Sequence, residues 1–486
     1  MENPQESAPL FETLMNHAKK KMVSFHTPGH KNGCAVDKEL VDFTGKNLYY
    51  FDVTVFPEVD SLHDPTTCIK QAQKLMAKAY RVKESFFLVN GSSVGNQAMF
   101  MSACQPGDSI ILSRNVHKSV LGGIILAGIW PIWLQPKIDR DLDIIVDAEP
   151  DQILAAIKKF PEAKAVFVTS PTYNGVTNDL LEIANICHKH NKLLLVDEAH
   201  GPHLRFHRDF PVSAVEAGAD MVVQSVHKIL SALSQGSVLH VNSDNIDTNK
   251  VKRVVSMLQT TSPNYLILAS IDLARRQAMI SGEKLFGQVM LAAEAGRKAI
   301  NKLKNFSCFK REDIRFRGYD LDVTKLTINV TKTGLSGLEI ENILSNEYNV
   351  QVDCADIFNL IAIMGVGSTR GDIDRLVKAL EAIDVKYHGT AAYWDLHLPS
   401  LTTEMVMNPR DIFFSKSYKR VSLKKAAGQI SAQTLTPYPP GIPILIPGER
   451  ISQEVCDYLL ELSHKDIRVS GQETDTLKTV KVVKTK

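Results

Sequence analysis

The sequence predicts an α/β protein, with a large domain on a mainly parallel sheet followed by smaller α+β C-terminal domains. Three observations predict it. Between about residues 61 and 245, short apolar runs alternate with stretches patterned as helices. The runs are rich in β-branched and aromatic residues and lack the polar alternation of a sheet wetted on one face, so helices must cover both faces. The chain has 486 residues, 44% apolar and 23% charged, which is ample for a large core.

The elements follow in order. Residues 1–60 read as an N-terminal arm, and 61–310 as the large domain. The domain opens with a helix over 65–81, where Asp64 caps, Pro65 suits the first turn, and Ile69, Ala72, Leu75, Met76 and Ala79 form one apolar face. Strands are predicted over 86–89, 109–112, 165–168, 193–196, 221–223 and 237–239. A smaller α+β domain over 311–400 carries strands over 326–330 and 360–364. Its helices lie over 337–348 and 371–382, the first with Ser336 and Glu339 spaced as a capping box. A C-terminal domain over 401–470 includes the proline-rich stretch 437–443, predicted as an extended loop, and a helix over 453–462. Residues 471–486 have little apolar content and are predicted to be disordered.

Composition excludes several classes. The formal net charge of +2 provides no field for nucleic acid or an anionic membrane. Seven cysteines, at 34, 68, 104, 187, 308, 354 and 456, form no CxxC pair, which predicts free thiols in a reducing cytosol. No apolar run approaches the ~18 residues of a membrane helix, so a soluble cytoplasmic protein is expected.

Four features fall at the ends of predicted strands, where open α/β sheets place ligands. Asn90-Gly91-Ser92-Ser93-Val94-Gly95-Asn96 lies between a strand and a helix and can cradle an anion with backbone, hydroxyls and helix dipole. Arg114-Asn115-Val116-His117 offers an imidazole. Asp197-Glu198-Ala199-His200 puts a carboxylate at the end of a buried run, where it needs a cationic partner. Ser225-Val226-His227-Lys228 ends another run in a lysine suited to a Schiff base. A structural salt bridge accounts for Asp197 alone, and a lysine snorkelling to solvent for Lys228 alone. The four in this order fit pyridoxal phosphate: Asp197 on the pyridine nitrogen, His117 stacked on the ring, Lys228 joined to the aldehyde.

The chain also resembles the pyridoxal-phosphate-dependent ornithine/lysine/arginine decarboxylases of fold type I. The resemblance runs from about residue 22 to 465 and rests on nine ordered motifs. They include His26-Thr27-Pro28-Gly29-His30-Lys31, Leu62-His63-Asp64-Pro65, Ser170-Pro171-Thr172-Tyr173-Asn174-Gly175, Thr260-Thr261-Ser262-Pro263 and Pro447-Gly448-Glu449, with the four strand-end features among them. It implies that Ser92, Ser93, Ser225 and His227 hold the phosphate, with Thr261 from a neighbouring subunit, and that His200 lies beside the ring. It implies that Lys228, His227, Asp197 and His117 are the catalytic group. It also implies that Glu449 receives the distal cation of a basic amino acid. Because a distal cation must not be buried unpaired, Asp353 or Asp356 are the next candidates. The expected reaction is α-decarboxylation of lysine, arginine or ornithine to an amine of the kind used in polyamine biosynthesis. The expected assembly is a homodimer or a dimer of dimers. The chain looks like the short form of the family, without the N-terminal wing domain.

Three positions depart from the family's usual wording. Val55 stands where an acidic residue is expected after Thr54, Thr67 where glycine is common, and Ile229 where threonine often follows the lysine. Rival readings are an aminotransferase on the same fold, a catalytically silent subunit, and a metal hydrolase built on His200, His203 and His207 with His188 and His190 nearby. The last lacks a helical HExxH and is interrupted by Pro202, so no metal is expected.

Overall fold

The computed structural model describes residues 3–142, 144–389, 399–401, 403–437, 442–464, 467, 469–472 and 477–484. The chain forms two compact units. The first comprises Met1–Ser102, Asp197–Gly287 and Gly365–Gly367, and the second comprises Ala103–Val196, Gln288–Met364 and Ser368–Lys486. The strands of the large, mainly parallel sheet are β1 (Glu84–Leu88), β2 (Ser109–Ser113), β3 (Trp130–Leu134), β4 (Ala165–Thr169), β5 (Leu193–Asp197), β6 (Met221–Gln224) and β7 (Ser237–Val241). Six match the predicted runs to within two residues at each end.

In the first unit β7 lies between β1 and β6 and is antiparallel to both, with Phe86 opposite Leu239 and Leu239 opposite Val223. Sequence alternation gave no sign of this reversal. Residues 225–236 join β6 to β7 and are occupied by the lysine turn, leaving no crossover helix of the kind a parallel pair needs. In the second unit β2 is parallel to β3 and β4, Ile111 lying opposite Ile132 and Val166. β3 was not predicted because Pro131 interrupts it; as the edge strand it tolerates a residue without an N–H.

The first helix of the large domain runs over Cys68–Tyr80, three residues later than expected, and Asp64 does not cap it. Asp60 does: its carboxylate accepts the N–H groups of Thr66, Thr67 and Ile69 at 3.0, 2.8 and 3.1 Å, while Asp64 pairs with Lys252 at 2.7 Å. Burial pushes the Asp60 carboxyl up, but the N–H groups of Thr66, Ser61, Thr67 and Lys70 outweigh it and hold the group below its ordinary range.

After residue 300 the second unit builds an antiparallel sheet from β8 (Ser307–Cys308), β9 (Lys325–Asn329), β10 (Cys354–Ala355) and β11 (Asn359–Ile363), in the order β8-β9-β11-β10. Leu326, Ile328, Ile340, Leu344, Leu360 and Leu380 fill its core. The Ser336–Glu339 capping box is present on the helix Gly337–Tyr348, and Thr369 with Asp372 forms a second one on Arg370–Lys386. Within the tail expected to be disordered, residues 479–483 form a strand, while 473–476 and 485–486 lie outside the described residues. Thr479–Val483 pairs antiparallel with Tyr418–Ser422, because Val480 and Val482 alternate into the core cluster that includes Leu459 and Leu462. Of the predicted loop 437–443, residues 438–441 lie outside the described residues. All seven cysteines are free thiols, five of them buried.

Candidate active site

The site is built in the first unit around Asp197, the last residue of β5. Asp197 is only 3% exposed, so its carboxylate must exchange water for protein donors. The Asn96 amide donates to Oδ2 at 2.7 Å and the Ala199 N–H to Oδ1 at 3.0 Å. Both donors are neutral, so they replace water without cancelling the negative charge. Asn96 lies on the helix Gly91–Ala103, one turn beyond Ser92 and on the same face. Gly95 brings that helix close to β6: a Cβ there would lie 2.2 Å from Val223 Cγ2. Asn96 fell within the predicted anion cradle but was given no role in it.

Lys228 lies in the single helical turn Val226–Ile229 after β6, and its Nζ is 2.8 Å from Nε2 of the buried His200. Two contacts fix the turn. The His227 N–H and Nδ1 both reach the Gly236 carbonyl, at 3.1 and 2.9 Å, and the Val366 N–H donates to the Ile229 carbonyl at 2.8 Å. With Nδ1 donating, Nε2 of a neutral His227 is an acceptor. Burial pushes the His227 pKa down, the Gly236 carbonyl opposes this, and the neighbouring Lys228 charge adds to the fall.

The anion cradle begins at Gly91, whose φ of +74° suits glycine and whose N–H is held by the Gln235 carbonyl at 3.0 Å. Ser225 Oγ donates to Ser92 Oγ at 2.9 Å, so these hydroxyls from two segments meet at the start of a 13-residue helix. Ser93 follows, half-buried. A buried acid, a lysine and a hydroxyl-lined helix start suit pyridoxal phosphate, a ring with a nitrogen, an aldehyde and a phosphate. Thr261 is exposed in the same unit, and the preceding Thr260 carbonyl is bound by His63 Nε2 at 2.8 Å, which gives the Leu62-His63-Asp64-Pro65 motif a structural use.

Other predicted residues belong to the second unit. His117 is exposed and caps the helix Lys118–Ala127, its Nδ1 facing the Ser119 N–H and hydroxyl. Glu449, expected at the substrate, is tied within the protein. It is fully buried against a fully buried Arg114, which grips both carboxylate oxygens; the Nη2–Oε2 bond is 2.8 Å and the Ile446 N–H adds a third donor at 3.0 Å. Arg114 also donates to the Pro443 and Ile444 carbonyls and lies over the Trp133 ring. Its guanidinium already neutralises the acid expected to meet the substrate. Asp356 is committed to the Phe358 and Asn359 N–H groups at 2.7 Å, while Asp353 is exposed.

Among the departures, Thr67 contributes an N–H to Asp60, Ile229 is buried with its carbonyl clasped by Val366, and Val55 is exposed. Among the described residues no group of three or more His, Cys, Asp or Glu side chains could hold a metal ion. His203 packs on Phe210 and Phe286 instead, and His207 faces Asp209 and Glu283.

A large, mainly parallel sheet of this kind defines the fold type I class of pyridoxal-phosphate enzymes. Lysine decarboxylase A from Pseudomonas aeruginosa superposes with a TM-score of 0.85 at 23% identity, over 98% of this chain and 80% of that one. The alanine–glyoxylate aminotransferase of Nostoc sp. shares the fold at 0.55 over 68% of this chain, so the fold alone does not choose a reaction. The chain belongs to the Orn/Lys/Arg decarboxylase family: the family's major domain matches residues 8–372 and its C-terminal domain residues 396–483. The arginine decarboxylase of Halalkalibacterium halodurans is 38% identical over 484 residues, covering 99% of this chain and 98% of that protein. The constitutive lysine decarboxylase of Escherichia coli K12 is 25% identical, over 96% of this chain and 79% of its own length.

Proposed function

We propose that this protein is a pyridoxal-phosphate-dependent decarboxylase of a basic amino acid: lysine, arginine or ornithine. The observation that carries the reading is the buried Asp197, held by two neutral donors in the same unit as Lys228, in a chain aligned end to end with arginine decarboxylases. Bound here, the cofactor supplies an electron sink for the pair left behind when the substrate α-carboxylate departs as carbon dioxide.

The chain's own residues do the rest. The Asp197 carboxylate would accept a hydrogen bond from the protonated ring nitrogen and keep that proton in place. Ser92, Ser93 and Ser225 would hold the phosphate at the helix start, with His227 donating to it from Nε2 when protonated, and His117 would stack on the ring. Lys228 Nζ would carry the covalent link, and the free amine is oriented by His200 Nε2 at 2.8 Å. Lys228 Nζ, or His227 Nε2 when that ring is protonated, would return a proton to the substrate α-carbon. With Glu449 neutralised by Arg114, Asp353 becomes the first candidate for the distal cation. The minimum active unit in this reading is a homodimer to which Thr261 contributes across subunits, working in the cytoplasm. No helix among the described residues is long and apolar enough to cross a membrane.

A panel of lysine, arginine and ornithine assayed for amine and carbon dioxide tests the reaction. Keto acid without carbon dioxide would mean an aminotransferase. Borohydride reduction followed by peptide mass analysis should place the cofactor on Lys228, and a label elsewhere would overturn the assignment.

A further inference from the structure

Behind the site lies a buried row of polar side chains that the reaction above does not use. Glu198, the residue after Asp197, is fully buried, as are Gln224 at the end of β6 and His240 on β7; Ser85 on β1 is 4% exposed. They are joined in sequence. Gln224 Nε2 donates to Glu198 Oε2 at 2.6 Å, His240 Nε2 lies 3.1 Å from Gln224 Oε1, and Ser85 Oγ lies 2.8 Å from His240 Nδ1. The Ala214 N–H closes the near end on Glu198 Oε1 at 2.6 Å. Tyr80 covers the row, its ring 4.4 Å from the His240 ring and its hydroxyl fixed to the Pro202 carbonyl.

The row has a direction. Both Glu198 oxygens accept N–H groups, from Ala214 and Gln224, so Gln224 turns its amide nitrogen toward Glu198 and its carbonyl toward His240. His240 then carries its proton on Nε2 and accepts the Ser85 hydroxyl on Nδ1. Burial pushes the His240 pKa down to about 3, so the ring stays neutral and keeps one tautomer. One acid therefore sets the orientation of every member.

The row's two near members are each bonded directly to a residue of the site. Glu198 follows Asp197, and Gln224 precedes Ser225 and the turn that presents Lys228. The Glu198 N–H also donates to the Val223 carbonyl at 2.9 Å. Because alternate side chains leave a strand on opposite faces, the row lies behind the face that Asp197 shares with Asn96. We infer that Glu198 and Gln224 are positioning residues that set the separation between Asp197 and the Ser225–Lys228 turn, and thereby the grip of the site on its cofactor. This rests on the proposed cofactor assignment.

The test compares Glu198→Gln with Glu198→Leu. Glutamine at 198 can keep every bond if the row reverses, with its amide donating to Gln224, Gln224 to His240 Nε2, and His240 Nδ1–H to Ser85. Leucine leaves the Gln224 amide without its acceptor. Cofactor dissociation constants are measured on reconstituted protein, and melting temperatures on apoprotein. Leu344→Ala in the other unit serves as a destabilised control. Expected are a dissociation constant within threefold of the parent for Glu198→Gln, and at least tenfold weaker for Glu198→Leu. Leu344→Ala should melt lower with unchanged cofactor affinity. Should Glu198→Leu not accumulate in folded form, Glu198→Ser, which admits water, carries the same expectation. A lowered melting temperature with unchanged cofactor affinity in these variants would reduce the row to a fold-stabilising role and overturn the inference. Failure of the parent protein to bind the cofactor at Lys228 would instead overturn the assignment on which it rests.

Discussion

Asp197 in the first unit and Glu449 in the second are both buried carboxylates at the ends of conspicuous motifs, yet their partners differ in kind. Asp197 meets an amide and a backbone N–H, whereas Glu449 meets a guanidinium that grips both oxygens. Neutral donors solvate a charge and leave it available to a cationic ligand. A buried cation cancels it and turns the acid into a structural tie. The chemistry of a buried acid is therefore legible from the charge of what surrounds it, more than from its burial or its motif.

The sharpest way to test this contrast is to remove each partner. Arg114→Met strands the Glu449 charge and should cost about 3–5 kcal/mol of stability by denaturant unfolding, while Arg114→Met with Glu449→Leu should recover most of it. No recovery in the pair would mean that Glu449 is not simply a structural tie. Asp197→Asn should leave the melting temperature nearly unchanged but lower kcat by about 10²–10³, since a neutral amide cannot hold the pyridinium proton. Glu449→Gln should do the opposite, lowering stability and leaving kcat/KM for the basic substrate within about threefold. A tenfold fall would restore Glu449 to the substrate site.

Asn96→Leu tests the neutral side directly. It removes one of the two donors to Asp197 and should lower kcat by about tenfold, the loss of a hydrogen bond worth ~1–2 kcal/mol to a charged group. An unchanged kcat would show that the Ala199 N–H suffices.

The smallest effect is in pH dependence. Burial pushes the Glu198 carboxyl up to about 8, opposed by the Ala214 N–H and Gln224 and aided by the nearby Glu216 and Asp197 charges. In the second unit burial pushes Asp147 up to about 7 against the Ser113 hydroxyl and the Ala148 and Thr169 N–H groups. A folded-state pKa above the unfolded value means that the native state holds more protons between the two values. The contribution is therefore full below about pH 4 and is lost as pH rises through 7 to 8. Each group adds a downward slope of at most about 1.4 kcal/mol per pH unit in that window. Unfolding free energies between pH 5 and 9 should show a flatter decline in Glu198→Gln and in Asp147→Asn, and identical slopes would place the titration elsewhere.

The tertiary structure repeatedly kept a sequence-read element and changed its partner. The Gly337–Tyr348 helix and its Ser336 cap were legible because a capping box is local, spanning four residues. The cap of Cys68–Tyr80 was misread, because Asp60 reaches it from outside the helix through a turn with positive φ, a geometry that composition does not reveal. Asn96 could have been suspected from its one-turn spacing after Ser92, but an amide has no chemistry of its own to mark it. The tail strand was hidden because two valines in alternation are too few to signal a strand without their partner Tyr418–Ser422.

By itself the sequence determined where the strands end and which reactive side chains stand there, because hydrophobic periodicity and turn chemistry act over a few residues. Only the tertiary structure decided what each charge faces. Arg114 and Glu449 are separated by 335 residues, and Ser85 and His240 by 155, so no local pattern could pair them. Whether a buried acid is cancelled, solvated or left to a ligand depends on groups within about 3 Å in space, and that proximity is created only when the strands pack.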